Sequence, residues 1–230
     1  MHREKLLLLH GAVGSKDQFQ NLIHLLDADL EIYTLNFPGH GGEEVPSNSF
    51  SIECFAHHVA EWLEKNKLQS INIFGYSMGG YVGLYLAYHY PEKIKKIFTL
   101  GTKFHWNHQI AEKEIKMLDP AKIEEKVPSF ASALSHRHAP QDWKQVVNKT
   151  VEMMIGLGKK NALTDSYFSS ISQSVIVSVG DQDAMVSIEE TADVCRKIKN
   201  GKLIVIPHSA HPIEKVNMQK LVPEMLRFFT

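Results

Sequence analysis

Cysteine is scarce in this chain: Cys54 and Cys195 are the only two in 230 residues, and each stands alone. No CxxC pair and no cysteine–histidine spacing of the zinc kind occurs, so neither a disulfide framework nor a thiolate metal site is expected. Both thiols are expected to be reduced and to lie on helices. Long apolar runs are missing too. The five residues Met1–Lys5 lead into only four leucines before His10–Gly11, too few for a secretory leader or a bilayer span. A cytoplasmic location without a membrane partner is the default expectation. Excess charge is also absent, the formal net charge being −1, which argues against a nucleic-acid partner. The thirteen histidines make that balance sensitive to acid, but their number alone does not make a metal site. No internal repeat or low-complexity tract occurs, and nothing selects an oligomeric state.

What remains is a globular composition, 43% apolar and 22% charged, long enough for one full-sized core. Short apolar runs bounded by Gly, Pro or Asn recur at Leu6–Leu9, Glu31–Asn36, Ser70–Gly75, Lys96–Gly101, Val175–Val179 and Lys202–Ile206. They suit buried parallel strands. Helical patterns alternate with them. In Ser51–Lys65 the apolar residues Ile52, Phe55, Ala56, Val59, Ala60 and Leu63 share one face. Ser187-Ile-Glu-Glu190 reads as a capping box opening a helix to about Lys199. The last pattern, Glu214–Phe229, contains Pro223, where a kink or break is expected. This alternation predicts an α/β fold with a parallel sheet, helices on both faces and right-handed crossovers.

Residues 103–172 do not alternate. They hold helical patterns at Gln109–Leu118, Asp119–Leu134 and Gln141–Leu157 and no convincing strand. They are expected to form a helical cap over the strand ends, where open α/β sheets bind ligands, with 1–102 and 173–230 forming the core. The cap's large apolar residues, Phe104, Trp106, Phe130, Trp143, Met153, Met154, Tyr167 and Phe168, divide between a pocket lining and the cap's own core. Arg137 is its only arginine.

The sharpest signal is Gly75-Tyr76-Ser77-Met78-Gly79-Gly80, set between a strand-like and a helix-like run. A G-x-S-x-G turn of this kind raises its serine above the sheet, and side chains at the flanking glycines would crowd it. The helix N-terminus beneath the serine favours negative charge.

With these motifs the chain resembles the α/β-hydrolase family, and other segments match in order along nearly its whole length. The resemblance implies Ser77 as nucleophile. His10-Gly11-Ala12 is similar to the family's HG turn, which carries the oxyanion-hole N–H groups over to Ala12 and Met78. Asn36-Phe37-Pro38-Gly39-His40-Gly41 resembles a structural turn of the family, with Asn36 in the usual Asp position. His10 itself is read as structural. After Val175–Val179 the family frame selects Asp183 as the acid, with Asp181 as the alternative. After the final strand it selects His211, with His208 three residues earlier as the competitor. Only five residues precede the first strand, so a shortened doubly wound sheet of about six strands is expected, ordered 2-1-3-4-5-6. The resemblance implies cleavage of an ester or thioester of a small, largely apolar acyl group, with a small molecule as partner and no metal or organic cofactor. Carbon–carbon bond hydrolysis or a lyase reaction, and a purely ligand-binding role, are the alternatives; Tyr81, where a related lyase typically has arginine, weighs against the lyase.

Overall fold

The computed structural model describes residues 3–230. Six strands, β1 (Glu4–Leu9), β2 (Leu30–Thr34), β3 (Ile71–Tyr76), β4 (Ile94–Leu100), β5 (Ser174–Gly180) and β6 (Gly201–Ile206), form one sheet. The order is β2-β1-β3-β4-β5-β6, and every neighbouring pair is parallel. Among the described residues the ten α-helices are α1 (Gln20–Leu26), α2 (Ile52–Lys65), α3 (Met78–His89), α4 (His108–Ile115), α5 (Pro120–Lys126), α6 (Pro128–His138), α7 (Trp143–Lys159), α8 (Asp165–Ser170), α9 (Ile188–Lys197) and α10 (Met218–Phe229).

Successive strand residues point to opposite faces, and the two halves of the core follow. Leu7, Leu9, Ile73, Ile97 and Val177 pack with α2, α3 and α9. Leu6, Leu8, Phe74, Phe98 and Ile176 pack with α1 and α10. Both faces of β1 are covered, which is why its four leucines run without a polar break and all have 0% exposure. In α2 the buried residues are the six of the expected stripe, and the Ser51 hydroxyl accepts from the Cys54 N–H at 3.0 Å.

Three local expectations change. The stretch Asp119–Leu134 is two helices. Pro128 divides them, because it cannot donate to the preceding turn and pushes Val127 out of helical conformation, to φ −139° and ψ 61°. At the C-terminus, α10 runs through Pro223 without a break; Leu221, Met225 and Phe229 are all buried around it, and that packing outweighs one lost helical hydrogen bond. Only half of the capping box forms. Ser187 Oγ accepts from the Glu190 N–H at 3.1 Å, but the Glu190 carboxylate turns to the segment after β4. There it accepts from the N–H groups of Phe104 at 2.7 Å and His105 at 2.8 Å. Its other oxygen lies 3.5 Å from Lys103 Nζ.

Helices α4–α8 all fall between β4 and β5. Ile123, Ala131, Leu134, Trp143 and Val147 form a separate apolar cluster of α5, α6 and α7, and Val13, from the loop after β1, joins it. Among the described residues no helix is long and apolar enough to cross a membrane.

Glu190 is 9% exposed, so Glu190→Ala strands two backbone donors and deprives Lys103 of a partner. It is expected to cost about 2–4 kcal/mol. Ser187→Ala, which removes only a helix cap, should cost about 1 kcal/mol. Urea unfolding of the two variants beside the parent checks the order.

Candidate active site

Four of the five expected site residues follow the C-terminal end of a strand, and the fifth, Met78, opens α3. Ala12 follows β1, Ser77 β3, Asp183 β5 and His211 β6. Strand order reverses between β1 and β3, the place where open α/β sheets form their crevice.

Ser77 sits at φ 51°, ψ −119°, a strained conformation for a residue with a side chain. Close backbone packing imposes it. A Cβ on Gly75 would lie 2.4 Å from the Gly80 backbone, and one on Gly79 would lie 2.0 Å from the Leu9 carbonyl oxygen. The Ser77 N–H is tied to the Leu100 carbonyl at 2.8 Å, and Thr102 Oγ1 donates to the Ser77 carbonyl at 2.9 Å.

Ser77 Oγ lies 3.3 Å from His211 Nε2, a length usual before substrate tightens such a contact. His211 Nδ1 lies 2.8 Å from Asp183 Oδ2. The other Asp183 oxygen accepts from the N–H groups of Met185 and Val186 at 2.8 and 2.9 Å. Burial pushes the Asp183 carboxyl up; the His211 hydrogen bond and charge, with these N–H donors, outweigh it and hold the group below the usual carboxylate range. Asp181 accepts from the Ser209 N–H at 3.1 Å instead, and it is the hydrogen bonds from Ser209 and His208 that lower its carboxyl. His208 occupies a positive-φ turn at 56°. The structure therefore brings Ser77, His211 and Asp183 together and leaves Asp181 and His208 in the neighbouring turn.

Ala12, Ser77, Met78 and His211 line one cavity of about 480 Å³, mouth included. Met78 is the first residue of α3, so its N–H has no acceptor within the helix. The remaining wall is mainly apolar, with Ile52, Trp106, Met153, Met154, Leu157 and Val186, and it also carries the ion pair of Lys103 and Glu114. Of the large residues of the helical segment, Trp106, Met153 and Met154 thus reach this cavity. Phe104 and Phe168 are buried in the core, while Trp143 and Phe130 pack in the separate cluster. Among the described residues no group of three His, Cys, Asp or Glu side chains is arranged to hold a metal.

A family model described as alpha/beta hydrolase fold matches residues 5–119, half of the chain. The chain belongs to the α/β hydrolase family. Among individual proteins, it is 24% identical to a pimeloyl-[acyl-carrier protein] methyl ester esterase of Neisseria meningitidis, over 90% of this chain and 86% of that protein. A Wickerhamomyces anomalus protein named for alcohol acetyltransferase activity is 25% identical over 70% of this chain, and the match spans 47% of that protein's length. A crystal structure of a hydrolase from Pseudomonas aeruginosa has the same fold, with a TM-score of 0.78, 16% identity and coverage of 98% of this chain and 89% of that one.

Several residues that support this α/β hydrolase site gave no signal of a role in the sequence. Tyr76 donates to the His211 carbonyl at 3.0 Å. Tyr81 bonds Asn161 through its hydroxyl, which also accepts from the Leu163 N–H at 2.8 Å, so it ties α3 to the segment between α7 and α8. The loop after β1 is held from α6. Val13, a β-branched residue at φ 49°, presents its carbonyl to Arg137 Nη1 at 2.9 Å and to His138 Nε2 at 3.1 Å. His138 Nδ1 accepts from the Gly41 N–H at 3.1 Å, which leaves the ring proton on Nε2. His10 is the opposite tautomer. Its Nε2 accepts from the Phe37 N–H at 3.1 Å, and Nδ1 lies 2.8 Å from the Gly11 carbonyl. His40 stands between them, with ring centroids 5.3 Å from His10 and 5.7 Å from His138.

All three rings have 0% exposure. Burial is the main reason His10 falls to about 3 and His138 to about 4, and it also sets His40 well below the ordinary value. They stay neutral in the folded chain while the unfolded chain takes up their protons as pH falls through about 6.5. Their contribution is therefore complete above that pH and lost on acidification, each by up to about 1.4 kcal/mol per pH unit. Urea unfolding at several pH values between neutrality and pH 5.5 should show this loss, and His40→Leu should reduce its steepness by about one proton's worth.

Proposed function

We propose that this α/β hydrolase is a serine hydrolase that cleaves an ester or thioester of an apolar acyl group through an acyl-enzyme on Ser77. The observation that carries the reading is the relay from Ser77 Oγ to His211 Nε2 at 3.3 Å and from His211 Nδ1 to Asp183 Oδ2 at 2.8 Å. Ser77 gives its proton to His211 Nε2 as its oxygen attacks the carbonyl carbon. Asp183 holds the imidazole in the tautomer with Nδ1 protonated and stabilises the cation that forms. The N–H groups of Ala12 and Met78 receive the negative charge on the carbonyl oxygen. His211 then protonates the leaving oxygen or sulfur, the acyl group remains on Ser77, and water repeats the sequence to release the acid. Residues 103–172 act as the cap that supplies the apolar wall of Trp106, Met153, Met154 and Leu157. The printed name of the Neisseria relative, a methyl ester esterase, agrees with ester chemistry.

A fluorophosphonate probe tests the nucleophile with little dependence on substrate. Labelling mapped by peptide mass spectrometry is expected at Ser77 alone and absent from Ser77→Ala; a folded protein that takes no label would favour a binding role. The histidine assignment has its own check. His211→Gln should lower kcat by about three orders of magnitude or more, and His208→Gln far less. The reverse order would reject it.

A further inference from the structure

A second, larger concavity adjoins the cavity at Ser77. It encloses about 1400 Å³, mouth included, against about 480 Å³ for the first. Ile52, Met153 and Leu157 line both, so the partition between them consists of three apolar side chains. These are 3%, 5% and 7% exposed. Met153 is the adaptable member, an unbranched thioether with several rotatable bonds. Beyond the partition the groove continues over Phe50, Tyr85 and Tyr167, with Glu53, Glu152 and Lys160 also on its lining.

We propose that this groove is the distal subsite for a long acyl chain, whose carbonyl lies at Ser77 and whose tail crosses Met153 between α2 and α7. The proposal rests on the serine-hydrolase reading and revises its substrate class, from the small acyl group that the resemblance implied to a long-chain acyl ester. Three observations carry it. The three side chains that stand between the cavity at Ser77 and the larger groove are all apolar. His211, Met185 and Val186 line the first cavity and not the groove. The leaving group must stay beside His211 to receive its proton, so the chain directed across the opposite wall is the acyl part. Finally, Gly156 of α7 lines the groove, and a Cβ built there meets nothing within 4 Å. The helix carries glycine beside open space, at a position where a helical residue with a side chain would narrow the groove and would suit the helix better.

That open space gives the test. Gly156→Phe adds a ring to the groove lining from a position where a Cβ meets nothing within 4 Å, and Met153→Ala thins the partition. For each protein, kcat/KM is measured on p-nitrophenyl acetate, hexanoate and dodecanoate, and the readout is the dodecanoate-to-hexanoate ratio. The parent should accept dodecanoate. Gly156→Phe should lower the ratio by about tenfold or more, through the methylenes it excludes from apolar contact, and Met153→Ala should raise it. Superimposable chain-length profiles for the three proteins, or a parent that rejects dodecanoate, overturn the subsite. If no ester turns over, the hydrolytic reading fails separately, and titration calorimetry with dodecanoate and hexanoate decides the groove. Tighter binding of dodecanoate that Gly156→Phe abolishes supports it; equal affinities in parent and variant overturn it.

Discussion

The approach of α3 to β1 and β3 is the constraint on which the site depends. Two backbones meet where a single Cβ would lie 2.0 Å from the Leu9 carbonyl oxygen. Only that closeness lets the chain pass from β3 into α3 through one strained residue. Ser77 is consequently held by backbone geometry, with its N–H and carbonyl both bonded to the end of β4 and the residues after it. In the proposed role of nucleophile, a serine placed in this way needs no reorganisation of the main chain before it reacts. The helix N-terminus beneath it supplies unpaired N–H groups where negative charge would develop.

The opposite wall of the site is built by contrast from side chains reaching across the fold. The loop after β1 would gain little order from its own residues, since Val13 adopts a conformation that β-branched side chains disfavour. Arg137 and His138 offset that cost by both donating to its carbonyl, and Val13's side chain packs into the apolar cluster of α5–α7. Helix α6 and the loop that carries Ala12 are thus one mechanical unit. The three buried histidines behind the loop extend this unit to the turn at Phe37–Gly41. Their neutrality is set by burial, and two of them use both ring nitrogens within it.

How much of this was legible in the sequence depended on the range of the interaction. Strands showed as apolar runs because their neighbours cover both faces, and α2 showed through its spacing. The elbow was readable because its steric demand falls on glycines two residues either side of Ser77. Short-range rules failed where a distant group won. Glu190 looks like a capping partner for Ser187, but the N–H groups of Phe104 and His105, more than eighty residues away, are the acceptor's better use. The helix through Pro223 survives because tertiary burial outweighs one missing donor. Nothing local marked Arg137 and His138 as partners of Val13, since their contacts span 124 and 125 residues. Composition alone does not separate Asp181 from Asp183, because both are aspartates in one turn; the family frame selects Asp183, and the geometry places it against His211 and Asp181 against Ser209.

The cavity walls divide the labour in the same way. The side facing His211 is built on loops from β5 and β6, with Asp183 buried and bonded on both oxygens. Movement there would break charge-assisted hydrogen bonds in a desolvated setting, a costly change. The side facing α2 and α7 presents the apolar side chains of Ile52, Met153 and Leu157, whose dispersion contacts are individually weak and non-directional. A ligand that needs more room therefore finds the lower resistance on the apolar side, away from the relay. In the proposed function, chemistry and chain-length tolerance would lie on separate walls, so that the partition could yield without disturbing the 2.8 Å contact between His211 and Asp183.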